Sequence, residues 1–362
     1  MKQATNDNYW SKQFIQERKR IIAALGEIPD GGIVEQLEHI GTTSIPGLYG
    51  RQSLDIALAV WPFPLEESAL HALASLGYER DLSLAGALEL HFRHPSTDVR
   101  LYVFEAGSPT WTDYILICEY LRRDEAARQA LSARKQGWDG STESTEYQEA
   151  KRLWFDQLLN DAHRSWIEVK RFSPLLLVTK ELCDFPCPWY ISGGWALDVF
   201  LDRVTRVHHD VDVVVSHVDQ LALRQYMTTR GWRLVTSLDG QFQPWPIHMR
   251  LELPRYQVHA HRNGMFIDFL LTDLDRGVWR YRREPTIVRD MSRVGLPSHE
   301  GFSYLAPELV LLFKSKTTSG KGRSKDQADF EVIYSRLEPE RRAWLRWALI
   351  ATDPSHRWIE RL

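Results

Sequence analysis

The chain has 362 residues, 43% hydrophobic and 26% charged, which is ordinary for a soluble globular protein and, at roughly 150 residues per domain, points to two domains. No apolar run is long enough to span a bilayer, the polar start MKQATNDNYWSKQF has no signal-peptide pattern, and three cysteines make no disulfide framework, so a reducing cytoplasm is expected. Net charge is −3, yet residues 169–362 carry 28 Lys+Arg against 23 Asp+Glu, leaving 17 against 25 for residues 1–168, so an acidic half precedes a basic one.

In chain order, helical spacing covers 13–27 and ends near Gly31-Gly32. A strand is predicted at 53–60 (SLDIALAV), then helices at 65–76 and 113–135. The polar segment 136–147 (QGWDGSTESTEY) reads as a loop, and 148–172 as one long helix ending before Ser173-Pro174. The domain boundary is placed near 168, giving domains 1–168 and 169–362. The second half repeats the plan: a helix (174–183), a strand (188–192), a glycine turn, a helix, then a strand holding aspartates. The halves read as diverged copies of one fold. Cys183 and Cys187 lack a second ligand pair, so zinc is not expected.

The aspartate strand is HHDVDVVV. Alternation puts Asp210, Asp212 and Val214 on one face and Val211, Val213 and Val215 on the other. Neighbouring carboxylates amid valines repel unless a cation lies between them, and Mg²⁺ suits such oxygen ligands. Downstream, YQVHAHRNGMFIDFLL is two alternating runs joined by Asn263-Gly264, a strong hairpin signal, and the return strand carries Asp268 between Ile267 and Phe269. Three strand acids of this kind are what two-metal phosphoryl or nucleotidyl transfer requires. Upstream, WYISGGWALDVFL reads strand, Gly193-Gly194, helix. Glycine N–H groups and a helix N-terminus favour phosphate, a weak signal alone but more specific next to the paired aspartates.

His259 and His261 share a strand face without a third ligand and are expected to be solvated on an edge strand. Arg276, Arg280, Arg282, Arg283, Arg289 and Arg293 alternate with Trp279, Tyr281 and Ile287, as a half-exposed strand pair with basic outer faces would. SGKGRSKD fails as a P-loop, and 317–325 reads as a basic loop.

With these residues in view, GGWALDVFLDRVTRVHHDVDVVV resembles the active-site signature of aminoglycoside and lincosamide nucleotidyltransferases, within the DNA polymerase β-type superfamily. The resemblance covers most of 169–335. It implies Mg²⁺ and a nucleoside triphosphate, usually ATP. It also implies that Asp210 and Asp212 bind metal, and that Asp268 is a third ligand or the base for an acceptor hydroxyl. Arg206 and His208 match positions beside the aspartates, and APELVLLFKSK…KDQADF resembles a helical segment offering Lys314 or Lys316 and Lys325 as phosphate contacts.

In the first half, EHIGTTSIPGLYGRQSLDIALAV and FEAGSPTWTDYILICEYLRRDEAARQALSARK resemble the GrpB family, another branch of the same superfamily, over most of 9–165. Here Asp55 has no partner acid on its face, Arg100-Leu101-Tyr102-Val103 stands where the family has His-Leu-His-Val, and Arg51 stands for its lysine. One carboxylate does not hold two magnesium ions, so this domain is read as degenerate, a structural or acceptor-binding lobe.

The expected fold is therefore α+β: two tandem nucleotidyltransferase-fold domains, each a mixed sheet flanked by helices. The expected function is transfer of a nucleoside monophosphate, AMP from ATP first, to a hydroxyl of a small acceptor such as an aminoglycoside-type antibiotic, releasing pyrophosphate. A toxin-like nucleotidyltransferase acting on tRNA or protein, and a non-catalytic nucleotide-binding module, are the alternatives. No membrane partner is expected.

Overall fold

The computed structural model describes residues 2–3, 7–26, 34–82, 89–138, 145–238, 241–252, 255–275, 277–316 and 324–362. It divides into two units, Met1–Val169 and Lys170–Leu362. The helix end expected near Gly31-Gly32, Arg276, residues 139–144 of the loop expected at 136–147 and residues 317–323 of the loop expected at 317–325 lie outside the described residues, while 136–138 and 145–147 are helical.

The first unit runs β1 (Lys2–Gln3), α1 (Asp7–Gly26), β2 (Val34–Ile40), β3 (Tyr49–Gly50), β4 (Leu54–Val60), α2 (Glu67–Ser75), β5 (Glu79–Arg80), β6 (Glu89–His94), β7 (Val99–Glu105), α3 (Pro109–Arg123), α4 (Glu125–Trp138) and α5 (Thr145–Lys170). Its five-stranded sheet has the order β2-β4-β7-β6-β5, parallel only between β4 and β7. Central β4 reads LDIALAV because both of its faces are covered, and every residue but Asp55 is buried. Ile56, Leu58 and Val60 join Ile21 and Leu25 of α1 and Leu73 of α2 in one core. A second cluster gathers Leu121 of α3, Leu131 of α4 and Leu158 of α5 over Ile45 and Leu48. The single helix expected over 113–135 is two helices. Asp124 leaves the helix (φ −98°, ψ 107°), and its Oδ1 accepts the Ala127 N–H at 2.8 Å, capping α4.

The second unit runs α6 (Ser173–Glu181), β8 (Trp189–Ile191), α7 (Gly193–Phe200), β9 (Val211–Ser216), α8 (Gln220–Thr229), β10 (Arg233–Leu238), β11 (Gln241–Pro244), β12 (Gln257–Arg262), β13 (Met265–Asp275), β14 (Val278–Arg280), β15 (Val288–Asp290), β16 (Gly295–Pro297), β17 (Ser303–Leu305), α9 (Pro307–Lys314), α10 (Ser324–Ile333) and α11 (Pro339–Thr352). Its main path is β11-β10-β12-β13-β9-β8-β17-β16, with β14 and β15 branching from β13. Asn263 and Gly264 take positive φ (50° and 76°), the two-residue turn that joins β12 to β13.

Within that path, β8-β9-β13-β12-β10 repeats the order and directions of β2-β4-β7-β6-β5: antiparallel, parallel, antiparallel, antiparallel. Both units are thus mixed sheets flanked by helices, an α+β architecture built twice.

Two expectations are corrected. His259 and His261 do not lie on a solvated edge: β12 is flanked by β10 and β13, and His261 is 3% exposed. Nor is the arginine run uniformly an outer face. Arg289 is buried, and Glu308 at the start of α9 binds both its guanidinium (2.7 Å) and that of Arg341 on α11 (2.6 Å). Arg282 covers the Tyr256 ring at 3.4 Å from its centroid.

Candidate active site

The parallel pairing of β9 with β13 sets Asp212 directly beside Asp268, and Asp210 immediately precedes β9. One carboxylate oxygen from each of the three acids lies within 4.8 Å of the others, with Asp210 exposed, Asp212 half-buried and Asp268 buried. Alternation along the strand brings the first two acids to one face. The register of a distant strand supplies the third. Desolvation first, then the Asp210 and Asp268 charges, push the Asp212 carboxyl up to about 8, while Lys314 and Lys325 pull it down.

The trio fits a divalent cation. The Gln257 amide donates to Asp268 Oδ2, but Oδ1 is buried and accepts no hydrogen bond among the described residues. His259 Nδ1 lies 3.0 Å from that oxygen without making a hydrogen bond to it. A buried carboxylate oxygen without a hydrogen bond, in a cluster of three acids, has the hard-oxygen character that Mg²⁺ prefers.

Gly193 opens α7 beside this cluster. Its φ is +60°, and an added Cβ would lie 1.8 Å from Asp212 Oδ2, so backbone conformation and space both demand glycine. Gly194 serves a different contact. The place its Cβ would take is occupied by Arg206 Nη2 and His208 Cε1, each 2.4 Å away, so this glycine admits the segment that leads into β9.

His208 is accordingly not open to a ligand. Its side chain is 4% exposed and bonds the buried Asp198 carboxylate at 2.7 Å, which also accepts Thr205 Oγ1 at 2.6 Å. Burial lowers the His208 pKa, and Asp198 opposes that shift. The ring packs on Trp195 at 4.4 Å, and the Trp195 indole donates to the Asp210 carbonyl at 2.9 Å. This network fixes the backbone that carries Asp210. Asp198 was missed in the sequence, although an acid inside the apolar helix WALDVFL was a usable signal.

Lys314 ends α9 and lies 3.2 Å from Asp326 and 2.8 Å from Asp329, both on α10, while Arg206 is 3.8 Å from Asp329. Lys325 is exposed on α10. Lys316 lines a cavity of about 360 Å³ with Tyr281, Arg283 and His356. Gln257, His259, Asp326 and Asp329 join the site only through tertiary contacts that no local pattern announced.

The GrpB protein family model matches residues 3–161, and the aminoglycoside-2''-adenylyltransferase model matches residues 174–261, which include Asp210 and Asp212 but not Asp268. A UPF0157 protein of Streptomyces coelicolor is 34% identical over 155 residues, 43% of this chain and 70% of the relative. A 2''-aminoglycoside nucleotidyltransferase of Escherichia coli is 38% identical over 55 residues, 15% of this chain, and the chain spans only 31% of that relative. The crystal structure of ANT(2'')-Ia in complex with adenylyl-2''-tobramycin aligns with 17% identity and a TM-score of 0.37, covering 50% of this chain and 98% of that one. No helix among the described residues is long and apolar enough to cross a membrane.

Proposed function

The chain belongs to the GrpB family through its first half, and, given the acid trio in its second, we propose that it is a nucleotidyltransferase whose second unit transfers a nucleoside monophosphate to an acceptor hydroxyl. One observation carries the proposal: Asp212 and Asp268 stand in register on parallel strands, with Asp210 beside them and glycine enforced at 193. The match to the aminoglycoside-2''-adenylyltransferase model over the first two acids supports it.

Asp210, Asp212 and Asp268 would hold Mg²⁺, which supplies charge neutralisation on a triphosphate. Gly193 leaves room for Asp212 at the N-terminus of α7, and the N–H groups of that helix end favour the negative charge of a triphosphate. Lys325 neutralises phosphate oxygens, while Lys314 keeps α10 in place through Asp326 and Asp329. Arg206 and His208 are positioning residues packed under Gly194. Asp268, oriented by Gln257, takes the proton of the acceptor hydroxyl. That oxygen bonds to the α-phosphorus, the bond to the bridging oxygen breaks, and pyrophosphate leaves. We take ATP as the nucleotide and an aminoglycoside-type hydroxyl as the acceptor, the class named by the Escherichia coli relative. The first unit, with Asp55 as its lone acid of this type, is not a second catalytic centre.

The test is pyrophosphate release with Mg²⁺ and each of ATP, GTP, CTP and UTP, against aminoglycosides, lincosamides and bulk tRNA, with Asp212→Asn as control. Release that needs ATP and an aminoglycoside and vanishes in the variant is expected. Triphosphate binding with no release for any acceptor would overturn the reading.

A further inference from the structure

The repeated sheet allows the first unit to be read position by position against the second. Asp55 on β4 pairs in parallel with Arg100 on β7, as Asp212 on β9 pairs with Asp268 on β13. Gly41 has a φ of +73°, and its missing Cβ would lie 2.4 Å from Asp55 Oδ2, as Gly193 crowds Asp212. Two residues before Asp55 stands Ser53, where the second unit has Asp210, and its hydroxyl is 3.4 Å from both Asp55 oxygens. The same sheet edge therefore carries hydroxyl, carboxylate and guanidinium in place of three carboxylates. A divalent cation there would meet Arg100 where it needs its third oxygen.

What the edge faces is a cavity of about 680 Å³, within the size range of small-molecule sites. Arg51, Arg100, Lys135 and Lys151 all line it. Against them stand three acids, and two of those have partners: Asp113 is 2.8 Å from His163, and Asp156 is 3.1 Å from Arg152. Arg100 and Lys151 have no carboxylate within 4.0 Å among the described residues, and the Lys135 ammonium rests on the Thr42 hydroxyl at 2.9 Å. Much of the remaining lining is apolar, with Ile117, Leu131 and Phe155 among its residues. Cations in the lining of a largely apolar cavity suit a phosphate attached to an apolar body.

We propose that this cavity is a second, metal-independent ligand site, which binds a small organic phosphate with its phosphate on Arg100, Lys135 and Lys151 and its ring or base against the apolar wall. Burial pushes the Lys135 ammonium down to about 8, and an anion bound beside it would favour its charged form. The excess of cations makes the cavity a poor seat for a cationic acceptor such as an aminoglycoside. The proposal is independent of the chemistry assigned to the second unit.

The experiment is calorimetric titration of the full chain carrying Asp212→Asn, in EDTA, so that the trio is silenced. AMP, adenosine and inorganic pyrophosphate are the probes. One AMP per chain is expected. Adenosine should bind at least about tenfold more weakly, and Arg100→Gln or Lys151→Gln should each weaken AMP by about tenfold, the loss expected for one charge-assisted phosphate contact. Lys151 lies on the long helix α5, so its variant keeps the test valid if Arg100→Gln fails to fold. Absence of AMP binding in EDTA, equal affinity for adenosine and AMP, or indifference to the two substitutions would each overturn the proposal. Retained catalysis in the otherwise wild-type chain would not rescue it.

Discussion

Asp212 has its carboxyl raised far above the usual range, to about 8, because it is desolvated beside two other acids. A group whose folded pKa exceeds its unfolded value stabilises the fold fully below the unfolded pKa, and that stability is lost as pH rises through the folded pKa. In the metal-free protein the loss from Asp212 accordingly runs from near pH 4 to about pH 8, and roughly 1–3 kcal/mol of it falls between pH 6 and 8. Asp212→Asn is isosteric and removes the penalty. Its thermal midpoint in EDTA should be the higher one at pH 8 and nearly match wild type at pH 4. Its nucleotidyl transfer should fall by at least about a thousandfold, as expected where charge neutralisation dominates. A midpoint at pH 8 equal to or below that of wild type would contradict the electrostatic account of the trio.

Among the elements, α9 is pinned from below by charge. Glu308 in its first turn is fully buried, and one of its oxygens accepts from Arg289 of β15 and Arg341 of α11. Truncating it strands two guanidinium groups in a dry setting. Glu308→Ala should cost about 3–5 kcal/mol in urea unfolding, and a loss under 1 kcal/mol would mean that water already reaches the pair. This clamp shows what the chain pattern conceals. APELVLLFK reads as an apolar helix with one stray acid, and only the fold reveals that Arg289 and Arg341 arrive from distant segments. The strands β4 and β9 and the Asn263-Gly264 hairpin were legible because alternation and turn chemistry act locally. The break at Asp124 was missed because one side-chain cap interrupts an unbroken helical pattern. His261 was misjudged because β12 becomes interior only when β10 pairs beside it. His208 was misjudged because its partner, Asp198, sits one helix away.

Across the whole chain, one sheet plan is used twice, with clustered acids at one sheet edge and an acid beside a guanidinium at the other. The lone Asp55 was visible in the sequence, but Arg100 opposite it was not, since strand register is a tertiary property. Three clustered acids attract a divalent ion, whereas one acid beside a guanidinium repels it, so the two units should differ in metal binding despite their shared topology. Titration with Mn²⁺, followed by its paramagnetic resonance signal, should therefore report binding only at the second unit. Asp212→Asn should abolish that binding, and Asp55→Asn should leave the stoichiometry unchanged. At pH 7.5, Asp55→Asn should instead stabilise the first unit, because the wild-type carboxyl, raised to about 6, is charged and desolvated there. That gain should disappear below pH 4, where Asp55 is protonated in folded and unfolded chains alike. A Mn²⁺ signal lost on Asp55→Asn would mean that the first edge binds metal despite Arg100, and the charge difference between the two edges would then fail to set their metal binding apart.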